Sequence, residues 1–165
     1  MARNSPRRTK RKPLTKDQLL PMSNNTIRTL SLEGHVALSV LRRGQGDAVQ
    51  LGRLAQIVYL SYFMRDVTAA GSDIEQFRIA EIIVEDCVTR ALNGERWVLK
   101  DEDFAAVERI LLLYDAQLAA APAYRFADAW QQFQRVIVAH YQTPIEGSRI
   151  DMSAIGIDAV SALIQ

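Results

Sequence analysis

Residues 47–71 read DAVQLGRLAQIVYLSYFMRDVTAAG, and their hydrophobic spacing decides the class of fold. Leu51, Leu54, Ala55, Val58 and Tyr62 follow one another at intervals of 3, 1, 3 and 4, which marks one face of a helix rather than a strand. Asp47 stands where an N-cap belongs, its carboxylate able to accept from the first free amides. Nothing before Gly71 interrupts the pattern, so the spacing predicts a helix over about 48–69. Gln50–Gln56 opens like the first helix of a helix-turn-helix. Ile57 to Met64 then runs on apolar, without the turn or the exposed polar residues that reading base edges requires.

Working outward, glycine and proline cut the chain into pieces of helical length. Upstream, a helix is expected over about 27–43 with Leu30, Val36, Leu38 and Leu41 inward. Arg42 and Arg43 suit its C-terminal dipole, and Gly44 stops it. Residues 15–25 (TKDQLLPMSNN) read as a connector, because Pro21 and Ser23-Asn24-Asn25 break any periodicity. Downstream, Ser72-Asp73-Ile74-Glu75 reads as a capping box with Ser72 and Glu75 as its partners. The helix it opens, about 73–92, turns Phe77, Ala80, Val84, Cys87, Val88 and Ala91 inward and ends at Asn93-Gly94. Trp97-Val98-Leu99 is a short apolar link, and Asp101, Glu102 and Asp103 favour a new helix start.

Phe104, Val107, Leu111, Tyr114 and Leu118 then repeat at 3, 4, 3 and 4, a helix-bundle seam. Pro122 opens a helix to about Tyr141 with Phe126, Trp130, Phe133 and Ile137 inward. Residues 150–165, charged only at Asp151 and Asp158, are expected to dock as a terminal helix. The expectation is an all-α protein: a compact bundle of five to six helices over 27–165, a connector over 17–26 and a basic arm over 1–16.

The chain has 165 residues, 48% apolar and 24% charged, which suits one globular domain with a tail. A single cysteine excludes a disulfide framework, and His35 and His140 stand too far apart in sequence for a His/Cys metal cluster. No run of 18 apolar residues occurs, so no membrane contact is expected. The basic start is followed by no apolar leader core, and a cytoplasmic place in a bacterial host is the default.

The formal net charge of +1 hides a division. Arg3, Arg7, Arg8, Lys10, Arg11, Lys12 and Lys16 fall within the first sixteen residues, with no acid among them. From Asp17 onward, 13 basic residues face 19 acidic ones, a balance of −6. The arm has almost no apolar side chains to offset the entropy of ordering, so it is expected to stay disordered until a partner binds. Seven clustered cations suit a phosphate backbone, DNA or RNA, and without interleaved aromatics the binding should be salt-sensitive and sequence-blind. An acidic protein surface, the chain's own body included, is the second partner class, and a solubilising tail with no specific partner is the third reading. A homodimer through the C-terminal segment or the 104–118 seam is a further expectation, the alternative being that both belong to the core of a monomer.

Catalytic chemistry is not expected. Cys87 lies on an apolar helix face, where a thiol is inert. Arg43-Gly44-Gln45-Gly46 has the glycines of a phosphate loop but lacks the Lys-Ser/Thr and the preceding strand, so it reads as a turn. Glu81, Glu85 and Asp86 have hard-cation spacing but read better as a solvated acidic face. No nucleophile, metal set or cofactor loop stands out.

Three stretches carry a resemblance. They are Arg7-Arg8-Thr9-Lys10-Arg11-Lys12, then Gly34-His35-Val36-Ala37-Leu38 with Arg43-Gly44, then Trp97-Val98-Leu99-Lys100 leading to Tyr114-Asp115-Ala116-Gln117-Leu118. In that order they resemble a group of small proteobacterial proteins carried on phages, plasmids and genomic islands, often labelled regulators of the factor-for-inversion-stimulation (Fis) type. The resemblance implies a mobile-element origin and a helical fold. Taken with the basic arm, the expectation is a non-catalytic accessory or regulatory protein that associates with nucleic acid or a nucleic-acid-bound complex, the alternative being a protein-directed inhibitor or adaptor that acts on a host machine. The helix-turn-helix of Fis-type regulators would fall near residues 145–165, where Ile150-Asp151-Met152-Ser153-Ala154-Ile155-Gly156 lacks a basic recognition helix.

Overall fold

The computed structural model of the chain describes residues 13–139 and 143–150. Six helices and no strand occupy them: α1 (Lys16–Leu19), α2 (Asn24–Arg42), α3 (Ala48–Phe63), α4 (Ile74–Leu92), α5 (Phe104–Ala120) and α6 (Ala123–Ala139). The terminal helix expected over 150–165 falls, but for Ile150, outside the described residues, as do His140 and Tyr141.

α3 is the hub. It packs against α2, α4, α5 and α6, and ten of its sixteen residues are buried. A helix that is apolar nearly all round must lie inside the bundle. Leu51, Leu54, Ile57 and Leu60 are each at most 2% exposed, and burying a side chain of this size contributes about 1.5–3 kcal/mol. This central position also explains why the Gln50–Gln56 stretch does not continue into a helix-turn-helix: α3 runs unbroken through it.

Local chemistry sets most of the boundaries. The carboxylate of Asp47 accepts from the Val49 amide at 2.7 Å, and Gln50 returns a bond to the Asp47 amide at 2.9 Å. α2 closes through a Schellman arrangement in which the Gly44 amide reaches the Leu41 carbonyl (3.1 Å) and the Gln45 amide the Val40 carbonyl (3.2 Å). Gly44 sits at φ 65°, a conformation cheap only for glycine. α4 ends identically at Gly94, φ 90°.

Four expectations are corrected. α3 stops at Phe63 rather than near residue 69, because Met64 turns into the core, fully buried. There the carbonyls of Ser61 and Met64 accept from the Gln117 Nε2 of α5 at 3.0 and 3.2 Å. A buried side chain from another helix thus replaces the next helical turn. Asp73, not Ser72, caps α4: its carboxylate accepts from the Glu75 amide at 3.1 Å, while the Ser72 hydroxyl donates to the Ala69 carbonyl. Val36, expected inward, is 49% exposed, since α2 turns Gly34, Ala37, Leu38 and Leu41 into the core instead. The connector carries α1, a single turn closed by a reciprocal box between Thr15 and Gln18.

The 104–118 seam is internal. Val107, Leu111, Tyr114 and Leu118 are at most 2% exposed within the chain's own core. α2 and α5 run antiparallel, joined where His35 Nε2 meets Asp115 Oδ2 at 2.8 Å and where the Arg42 guanidinium lies 4.9 Å over the Phe104 ring.

Candidate functional site

Of the seven arm cations, Lys16 alone is described. It is the first residue of α1, exposed, and it makes no ion pair among the described residues. Arg3, Arg7, Arg8, Lys10, Arg11 and Lys12 lie outside the described residues. The segment that leads out of the arm is fastened to the start of α6. Pro21 bridges to Pro122, and the Ala123 amide donates to the Leu20 carbonyl at 2.8 Å. The arm therefore leaves the bundle at one defined place.

Among the described residues, five of the body's thirteen cations are paired with its own carboxylates. Arg53 meets Glu33 at 3.3 Å, Arg78 meets Glu75 at 2.9 Å, and Arg125 meets Asp66. Arg90 and Lys100 converge on Asp86 at 2.8 and 3.0 Å, and their hydrogen bonds hold the Asp86 carboxyl below its usual value. Surface pairs of this kind contribute little stability, but they lower the body's capacity to bind a polyanion.

The loop Arg43–Gly46 is a turn, as expected, and its amides explain why it cannot cradle a phosphate. Those of Arg43, Gly44 and Gln45 all point back to the carbonyls that close α2. The Gly44 carbonyl accepts from Arg96 Nη2 at 3.1 Å, which ties the loop to the segment that follows α4.

Glu81, Glu85 and Asp86 do not converge. Glu81 is 3% exposed. It accepts from the Tyr59 hydroxyl at 2.8 Å and from the Ser148 hydroxyl at 2.5 Å. Asp86 is bound up with Arg90 and Lys100, and no group of three potential metal ligands exists among the described residues. The buried Cys87 thiol donates to the Val98 carbonyl at 3.4 Å, and burial pushes its pKa up, away from the thiolate a nucleophile needs.

A polar strap went unread in the sequence. Residues 143–150 lie across α3 and α4, anchored by Ile145, which is 2% exposed. The Glu146 amide donates to the Tyr62 hydroxyl at 3.2 Å, Arg78 Nε donates to the Glu146 carbonyl at 2.7 Å, and Ser148 bonds Glu81. Burial, reinforced by the charge of Glu81, raises the Tyr59 pKa well above its usual value. One signal was legible: Glu81 is a carboxylate on the apolar stripe of Phe77, Val84 and Val88, a position only a partnered acid tolerates.

No protein family, curated protein or solved structure matches the chain.

Proposed function

We propose that this is a non-catalytic accessory protein that associates with nucleic acid, or with a nucleic-acid-bound complex, through residues 3–16. In this reading it belongs to the mobile-element class that its sequence resembles. The observation that carries the reading is the division of charge: seven cations in the first sixteen residues, and a balance of −6 over the rest. The ion pairs on the body support it, because they leave the arm as the concentrated source of positive potential. Binding then follows the phosphate backbone rather than base sequence.

The test compares the full chain with a full-length variant in which Arg7, Arg8, Lys10, Arg11 and Lys12 are all glutamine, by fluorescence anisotropy on a random duplex at low salt. Loss of binding by the variant supports the proposal. Equal binding by both proteins, or none by either, refutes it.

A second reading rests on the α2–α5 face. Leu32, Val36 and Leu112 are 60%, 49% and 59% exposed on the turns that flank the His35–Asp115 pair. Apolar residues grouped in this way suit a protein partner, the surface an inhibitor or adaptor of a host machine would use. Glutamate at Leu32 and Leu112 abolishes capture of a protein partner if that reading holds and leaves duplex binding unchanged.

A further inference from the structure

The strap sets the course of the residues that follow it. Its Glu146 carbonyl lies at Arg78 and its Ser148 hydroxyl at Glu81, so the chain advances along α4 toward that helix's C-terminus. The Ile150 amide turns back to the Ser148 oxygen at 3.4 Å, which keeps the end of the described segment beside α4. Ahead of it, Ile82, Glu85, Thr89 and Leu92 form one stripe at intervals of 3, 4 and 3, the repeat of neighbours on a helix surface. Two members, Ile82 and Leu92, are large apolar residues left 55% and 57% exposed.

The sequence beyond Ile150 is mostly apolar. Nine of residues 151–165 are Ala, Val, Ile, Leu or Met, and only Asp151 and Asp158 are charged. At 3.6 residues per turn Asp151, Asp158 and Gln165 share one side, opposite Met152, Val160 and Leu163. Fifteen residues at helical rise span roughly 22 Å, against roughly 15 Å from Ile82 to Leu92.

We infer that residues 151–165 cover the α4 stripe of Ile82, Glu85, Thr89 and Leu92 in the same chain, with the Glu81–Ser148 bond aiming them onto it. The occupant is this segment rather than a foreign partner for two reasons. The chain is delivered to the edge of the stripe, and only a few residues, each extending at most about 3.6 Å, separate Ser148 from the first apolar contact.

The test uses the full chain carrying a nitroxide at Ile82→Cys, and separately at Leu92→Cys. Both positions are half exposed, so the core is undisturbed, and buried Cys87 does not take the label. Loss of most amide signal intensity over 151–165 from both labels, with no such loss from a label at Leu32→Cys on α2, supports the assignment. Mixing isotope-labelled chains without nitroxide and nitroxide chains without isotope separates the alternative occupant. Signal loss confined to that mixture assigns the stripe to a second copy's tail and overturns the proposal. Unchanged intensities over 151–165, or a loss driven only from Leu32, overturn it as well.

Discussion

Replacing Gln117 by leucine is expected to lower the stability of the whole bundle, by an amount the geometry allows one to work out. Gln117 is fully buried in α5, and its Nε2 donates to two carbonyls at the end of α3. The Met64 carbonyl keeps a second partner, the Val67 amide at 2.9 Å, so its loss is one ordinary hydrogen bond, about 0.5–1.5 kcal/mol. The Ser61 carbonyl sits where the helix no longer continues, and leaving it unpartnered in the core costs about 1–3 kcal/mol. A partial offset comes from removing Oε1, which receives no hydrogen bond. The net is about 1–3 kcal/mol, or about 2–12 °C in thermal midpoint for a chain of this size. Circular dichroism melts of wild type, Gln117→Leu and Gln117→Glu test this. Glutamate keeps the shape but cannot donate when ionised, so at pH 7 it must be worse than leucine and must recover toward acid pH. A leucine variant that melts with wild type, or a glutamate variant that matches it at neutral pH, refutes the idea that this side chain terminates α3.

Other expectations follow from the same packing. Gly71→Ala places a Cβ 2.1 Å from the Arg65 carbonyl oxygen; backbone cannot yield as a side-chain tip does, so urea titration should show a loss toward the upper end of about 1–3 kcal/mol. Burial raises the phenols of both Tyr59 and Tyr114. Their contribution is therefore complete below the unfolded tyrosine value of about 10 and is lost as pH rises above it, where only the unfolded chain ionises. Stability should fall above about pH 10, less steeply in Tyr59→Phe, and a flat profile would contradict the buried placement. Cys87 should react with a thiol reagent at pH 8 only as the protein unfolds, its labelling tracking loss of helicity in denaturant; rapid labelling of the native protein would show the site to be open.

The sequence disclosed those parts of the fold whose causes are local. Asp47 as a cap, the glycine closures at Gly44 and Gly94, and the apolar stripes of α3, α4 and α5 all act within a few residues, so spacing and cap chemistry reveal them. The end of α3 was not legible because its cause, Gln117, is 53 residues from Met64. Val36 was misplaced because four small or apolar positions of α2 compete for the core, and Gly34 wins: a Cβ there would come within 2.7 Å of the Ile57 side chain. The strap was missed for the same reason as the α3 terminus, since Glu146 and Tyr62 are 84 positions apart. The arm, by contrast, is a matter of composition, and composition needs no fold to be read. What the fold contributes is the place from which the arm departs, beside the first turn of α6.

The claim that the arm binds and the body does not is tested most directly by the salt dependence of duplex binding by the full chain. Each phosphate neutralised contributes about −0.9 to the slope of log K against log salt, so seven arm cations in contact give about −6 and a loss of about 10³-fold or more between 50 and 200 mM. The account expects a slope approaching that value for wild type, collapsing toward zero when the arm cations are neutralised. A shallow slope in wild type, or a steep one that survives neutralisation of the arm, would contradict it.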